Sequence, residues 1–84
     1  MKQVKDIVSN FISNNFIVNM EQLGDDDSLV EKGIVDSTGI IILVCFVEDT
    51  FQFQISDSEI TMDNFGSVNA IVHYIQNQIE RTSV

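Results

Sequence analysis

An unbroken run of eight apolar residues, IIILVCFV at positions 40–47, is the feature that most constrains the fold of this chain. The run is rich in β-branched residues, and its periodicity alone does not separate a buried strand from a buried helix. It is far shorter than the roughly 20 residues needed to span a membrane. The helix-starting residues Asp-Ser-Thr precede it, and no second convincing strand exists to pair with it, so we interpret the run as a helix.

As a helix, this segment has two unequal faces. One stripe, which we assign to the core, comprises Ile40, Leu43, Val44, Val47 and Phe51. The opposite face carries Thr38, Ile41, Ile42, Cys45 and Asp49. A chain of 84 residues buries only about 60% of its unfolded surface, so full enclosure of both faces is difficult. We therefore predict that the second face contacts a partner.

Apolar residues at helical spacing predict two further long helices. The first stripe comprises Val4, Ile7, Val8, Phe11 and Ile12, and its helix is expected to end near residues 14–15. The last comprises Val68, Ile71, Val72, Ile75 and Ile79, in a helix of about 13 residues for which Ser67 is a suitable N-cap.

The connections carry weaker signals. Ser28 and Glu31 have the spacing of a capping box, and Gly33 suits a left-handed stop, so one short turn is expected there. Ser56 and Glu59 repeat the spacing and predict a short helix near residues 57–62. The sequence therefore predicts a single all-α domain over residues 1–84, a bundle of three longer helices and one short helix.

Charge and composition narrow the functional classes. Four basic residues against thirteen acidic ones, a net charge of −9, argue against nucleic acid and anionic membranes as partners and favour basic proteins. One cysteine cannot form an internal disulfide, and no signal peptide is recognisable, so a cytoplasmic protein without membrane insertion is expected. We expect a monomer, with a dimer through Ile41, Ile42 and Cys45 as the alternative.

Ser37 admits three interpretations. As a catalytic nucleophile it would need a histidine base, and the only histidine is His73, in the middle of the last helix, so we do not expect an enzyme. Asp36 or Ser37 could simply cap the helix. Alternatively, a serine at a helix start is exposed where the helix dipole favours an anion, so another enzyme could attach a phosphodiester there.

Three other candidate sites receive structural interpretations. The acidic run at residues 25–27 lacks the spacing of a calcium-binding loop, which favours a solvated loop. Cys45 has no neighbouring basic residue, which favours buried or half-buried packing over a reactive thiol. His73 is expected at the surface or its boundary, since a lone histidine makes a poor zinc site.

The segments LVEKGIVDSTGIIILVCFVEDTFQFQI and ITMDNFGSVNAIVHYI together resemble the acyl carrier protein family, in particular its stand-alone members. The matching positions are Gly33, Ile34, Asp36, Ser37, Glu48, Phe51, Phe65, Ser67 and Ile75. The resemblance implies that Ser37 receives 4′-phosphopantetheine from coenzyme A through a phosphopantetheinyl transferase that uses magnesium. The arm would then hold an acyl or aminoacyl thioester, loaded by a ligase or synthase and delivered to a downstream transferase.

The resemblance also implies partner contacts for Asp36, Glu48 and Asp49, and the chain departs from it elsewhere. Thr38 replaces a common leucine, Gly39 stands where carriers of fatty acid synthesis usually have an acid, and Ile42 occupies a position that is often acidic. These departures favour dedicated partners in a specialised pathway. The alternative function is an unmodified, acidic helical module that binds a partner through its apolar face.

Overall fold

The computed structural model describes residues 3–82, which form four α-helices and one 3₁₀ turn. The helices are α1 (Val4–Asn15), α2 (Ser37–Phe51), α3 (Met62–Phe65) and α4 (Val68–Thr82), and the 3₁₀ turn spans Asp57–Glu59. No strand occurs within residues 3–82. The predicted all-α fold with three longer helices and one short helix is confirmed.

A single cluster of apolar side chains forms the core, and α4 contacts each of the other three helices around it. Its fully enclosed members include Val8 and Ile12 of α1, Leu43 and Val47 of α2, and Phe65, Ile71 and Ile75 of the C-terminal third. Burial of each such side chain stabilises the fold by about 1.5–3 kcal/mol relative to its exposure. Most residues of the stripes assigned to the core from helical spacing do face it; the exceptions are Ile7 of α1, which is half-buried outside the core cluster, and the exposed Ile79 of α4.

Local capping determines where the long helices begin and end. Asp36 accepts a hydrogen bond from the Gly39 N–H at the start of α2, and the Ser67 hydroxyl accepts one from the Ala70 N–H at the start of α4. Gln52 follows α2 in the left-handed conformation with φ of 59°, a conformation that commonly ends a helix. Gly33 also has a positive φ, 73°, which confirms the predicted left-handed stop.

Some details of the fold differ from the prediction. The predicted short helix at residues 57–62 is instead the 3₁₀ turn followed by α3, and Thr61 rather than Ser56 provides the cap, through a 3.3 Å bond from the Asn64 N–H. The α4 helix has 15 residues rather than about 13, and Ile79 near its end is 38% exposed. Tyr74 fills the interior instead, between the rings of Phe53 and Phe65.

Cys45 is exposed, so the predicted buried or half-buried packing of this residue is wrong. The physical reason is helical geometry: position 45 lies one turn after Ile41 and two turns after Thr38 on the exposed side of α2, about 100° around the helix from the buried Val44. Within residues 3–82, no helix has both the length and the apolar character needed to cross a membrane.

Candidate functional site

The start of α2 is capped by Asp36 and not by Ser37. Asp36 has an extended backbone conformation, its Oδ1 accepts a 2.8 Å hydrogen bond from the Gly39 N–H, and its carbonyl oxygen accepts one from the Ile40 N–H at 3.0 Å. Asp36 is therefore the N-cap, and Ser37 is the first helical residue with an exposed side chain. Of the two capping interpretations, the one that assigns the cap to Asp36 is correct, which leaves the Ser37 hydroxyl available.

The loop before Asp36 is tied to the rest of the domain through Leu29. The Leu29 N–H donates to the Gly66 carbonyl at 2.8 Å, and the Leu29 carbonyl accepts from the N–H groups of Ile34 and Val35 at 2.9 and 3.2 Å. Leu29 and Val35 are themselves buried. Because these bonds join the loop to the junction between α3 and α4, the position of Ser37 is defined by packing and not by the loop alone.

Gly39 has a structural reason to lack a side chain. A Cβ added there would lie 2.9 Å from the Val35 Cβ and 3.2 Å from Cε1 of the Phe16 ring. The first turn of α2 packs here against Val35 and against the aromatic ring of Phe16, the residue that follows α1. The ring therefore occupies the side of α2 on which an acidic side chain would need space.

The predicted outer face of α2 is exposed along its length. Ile41 and Ile42 have 53% and 44% of their side chains accessible, and Thr38, Cys45 and Asp49 are exposed as well. Ser37 and Ile41 are one turn apart, so the hydroxyl borders this face. The structure brings these predicted site residues onto one surface, and a role for them in partner binding stays a prediction.

Glu48 differs from the other acids predicted to meet a partner. It is half-buried, and its Oε2 accepts a 2.8 Å hydrogen bond from the Ile55 N–H. Ile55 is buried, so this bond anchors the segment that follows α2. The sequence did not reveal this function, since acceptor and donor are seven residues apart with a helix end between them.

The acidic run at residues 25–27 is engaged with neighbouring groups. Asp25 forms an ion pair with Lys5 and raises the pKa of that lysine through a hydrogen bond and its charge. Asp26 accepts from the Asn69 side chain at 2.9 Å, and Asp27 accepts from the Gly24 N–H at 2.8 Å. Within residues 3–82, no three or more potential ligands are grouped in a way that could hold a metal ion.

A groove whose lining includes Asp36, the residue before Ser37, was not predicted. Its apolar lining comes from two separated segments; the lining residues include Phe16, Ile17, Val30, Ile34, Val35 and Asp36. Ile17 is 100% exposed and Val30 is 41% exposed. The only sequence signal for this surface was the presence of large apolar residues in otherwise polar connections.

Comparison with known proteins identifies relatives that cover most of the chain, although no family model matches it. A D-alanyl carrier protein of Lactobacillus delbrueckii subsp. bulgaricus is 28% identical over 75 residues, which cover 89% of this chain and 88% of that protein. A D-alanyl carrier protein of Streptococcus suis is 28% identical over 69 residues, which cover 82% of this chain and 86% of that protein. A D-alanyl carrier protein of Streptococcus pyogenes is 26% identical over 73 residues, which cover 87% of this chain and 91% of that protein.

Proposed function

The chain is a relative of stand-alone carrier proteins of the acyl carrier type, and from this premise we propose that Ser37 is the residue to which 4′-phosphopantetheine is attached. The observation that supports the proposal is the exposed Ser37 hydroxyl at the first position of α2, with the cap supplied by Asp36. Such a protein acts as a carrier, and the catalysis belongs to its partner enzymes.

The residues around Ser37 fit a phosphodiester. Asp36 satisfies the N–H of Gly39, and the earlier N–H groups of the first turn, those of Ser37 and Thr38, lie at the positive end of the helix dipole. When the site is exposed, an anion at such a position is stabilised by about 0.3–1 kcal/mol. The nearby Asp36 carboxylate opposes this, and its capping bond to Gly39 directs one of its oxygens into the helix.

The attachment step is carried out by a separate transferase. The Ser37 oxygen forms a bond to the phosphorus that bears the pantetheine arm in coenzyme A, the pyrophosphate P–O bond breaks, and adenosine 3′,5′-bisphosphate leaves with the electron pair. The hydroxyl proton passes to a base of the transferase, and magnesium balances the pyrophosphate charge. When attached, the arm supplies a terminal thiol that holds the cargo as a thioester. A cytoplasmic location would give access to coenzyme A.

We propose a D-alanyl group as the first cargo to test, since the relatives are named for it. An ATP-dependent ligase would load it, and a downstream transferase would receive it. The outer face of α2 supports dedicated partners: it presents Ile41 and Ile42, so contacts there would be more apolar than those of a face lined with acids.

The alternative proposal, an unmodified helical interaction module, is favoured by the same exposed isoleucines. One experiment separates the two functions. The purified protein is incubated with coenzyme A, magnesium and a promiscuous phosphopantetheinyl transferase, and its intact mass is measured. We expect one added phosphopantetheine group on the wild type and none on Ser37→Ala. An unchanged mass, under conditions that fully modify a known carrier, would leave the interaction module as the better explanation.

A further inference from the structure

Three apolar residues that line one groove together with Asp36 form what we name the loop patch: Ile17, Val30 and Ile34, of which the first two are exposed. Ile17 has its whole side chain in solvent and Val30 has 41% of it, while Ile34 is half-buried. All three share this groove with Asp36, which directly precedes Ser37. Since each exposed aliphatic side chain forgoes the free energy that burial would supply, this patch is a candidate contact surface.

The loop patch is held in place by ordered structure on both sides. The Phe16 N–H donates to the Ile12 carbonyl at 3.0 Å, and the Phe16 ring meets Phe11 edge-on with centroids 6.3 Å apart. On the other side, the Ile34 N–H donates to the Leu29 carbonyl at 2.9 Å. A surface built in this way can bind a partner without first being ordered, which lowers the entropic cost of association.

The chemistry at Ser37 determines which partner must cover this patch. An enzyme that forms a bond to the Ser37 oxygen has to bring its own active site to the residue itself, so its surface covers what surrounds the residue. Enzymes that act on the cargo work at the far end of the arm, some distance from Ser37. We therefore propose that the loop patch docks the enzyme that modifies Ser37, an inference that rests on the proposed attachment function.

The charges around the patch specify the chemistry of the docking segment. Asp36 borders the groove, and Glu31 lies in a second groove that shares Val30 with the first; both acids are exposed. Lys32 lines a third groove with Ile17 and Ile34, and its charge is offset by Asp27, whose Oδ2 lies 3.9 Å from the Lys32 Nζ. The complementary partner carries an apolar side chain flanked by Lys or Arg. A second copy of this chain, with its net charge of −9, would be repelled.

The test compares Ile17→Ser with a matched change outside the grooves, Ile79→Ser on α4. With coenzyme A, magnesium and the promiscuous transferase, intact mass followed over time gives KM and kcat for modification. We expect Ile17→Ser to raise KM about fivefold or more with kcat unchanged, because an apolar contact is lost in the encounter complex. Val30→Ser should act in the same direction, and Ile79→Ser should behave as the wild type.

Binding is measured separately from chemistry by placing Ile17→Ser in the Ser37→Ala protein and titrating each form with the transferase in a calorimeter. A Kd raised by the same factor as KM supports docking on the loop patch. If KM and Kd are unchanged in Ile17→Ser and Val30→Ser while the wild type is modified normally, the proposed docking on the loop patch is wrong. The proposed attachment function is then unaffected. Loss of a dimer on sedimentation of Ile17→Ser would assign the patch to a second copy and also overturn it. An unmodified wild type would instead remove the attachment function itself.

Discussion

Tyr74 is the residue whose environment departs most from what its position in the sequence suggests. Its hydroxyl is buried and has no hydrogen-bond partner of normal geometry within residues 3–82, although the Glu59 side chain lies near enough to favour the protonated phenol. Burial, followed by the negative charge of Glu59, raises the pKa of Tyr74 to about 12. The neutral phenol is the form compatible with the fold, so ionisation of this residue favours unfolding.

We predict that Tyr74 makes the free energy of unfolding depend on pH above 10. The unfolded phenol ionises near 10 and the folded one near 12, so its contribution is complete below pH 10 and is lost as pH rises through about 12. Tyr74 is the only tyrosine and the chain has no tryptophan, so an ultraviolet absorbance titration reports this one residue.

The Tyr74→Phe variant is the control for other groups that titrate in the same range, including the lysines. Urea unfolding of both proteins at several pH values should show the wild type losing stability relative to the variant between pH 10 and 12. An absorbance titration with a midpoint near 10 would contradict the prediction. Below pH 10 the variant should equal or exceed the wild type in stability, because removing a buried hydroxyl without a partner relieves a penalty of about 1–3 kcal/mol.

Among the elements, α1, α2 and α4 could be predicted because each has an apolar stripe at helical spacing over several turns. The structure of residues 56–66 could not be predicted in detail. Ser56 and Thr61 compete there as caps, and packing decides which of them is used. Leu29, in a loop, became a core residue through its contact with the junction at Gly66, and no local pattern indicates this. The position of Ser37 followed from residues next to it, whereas the loop patch required segments 13 or more residues apart to meet.

Two adjacent acids at the end of α2 provide a test of how this element is joined to the following segment. Glu48→Ala removes the carboxylate that accepts from the Ile55 N–H and leaves that donor without its partner. We expect the free energy of unfolding to fall by about 1–3 kcal/mol, measured by urea denaturation. The neighbouring change Asp49→Ala, at an exposed position, should alter stability by less than about 0.5 kcal/mol.

Glu48→Gln separates the hydrogen bond from the charge, because its side-chain oxygen is still an acceptor. Stability close to that of the wild type in this variant would attribute the effect to the bond with Ile55. Equal loss in Glu48→Ala and Asp49→Ala would show that Glu48 has no anchoring function. If Asp49→Ala retains stability but slows modification of Ser37, the predicted partner contact of Asp49 is supported.

At the scale of the whole molecule, the net charge of −9 acts on folding and on association in opposite directions. The Cα radius of gyration is 12.1 Å, well below the Debye length of about 30 Å at ~0.01 M salt, so at low salt every charge acts on every other. This repulsion destabilises the fold, and the same negative field attracts a basic partner.

Added sodium chloride should therefore raise the free energy of unfolding while it also raises KM for modification of Ser37. Between ~0.01 and ~0.2 M salt the Debye length falls below about 10 Å, which removes most of the repulsion and most of the steering. Urea midpoints and modification kinetics at matched salt concentrations measure the two effects, with potassium chloride as the control for specific ion binding. A KM that stays constant while stability rises would mean that association depends on apolar contact alone. In that case Ile17→Ser should still weaken docking, but replacement of Glu31 by glutamine should not.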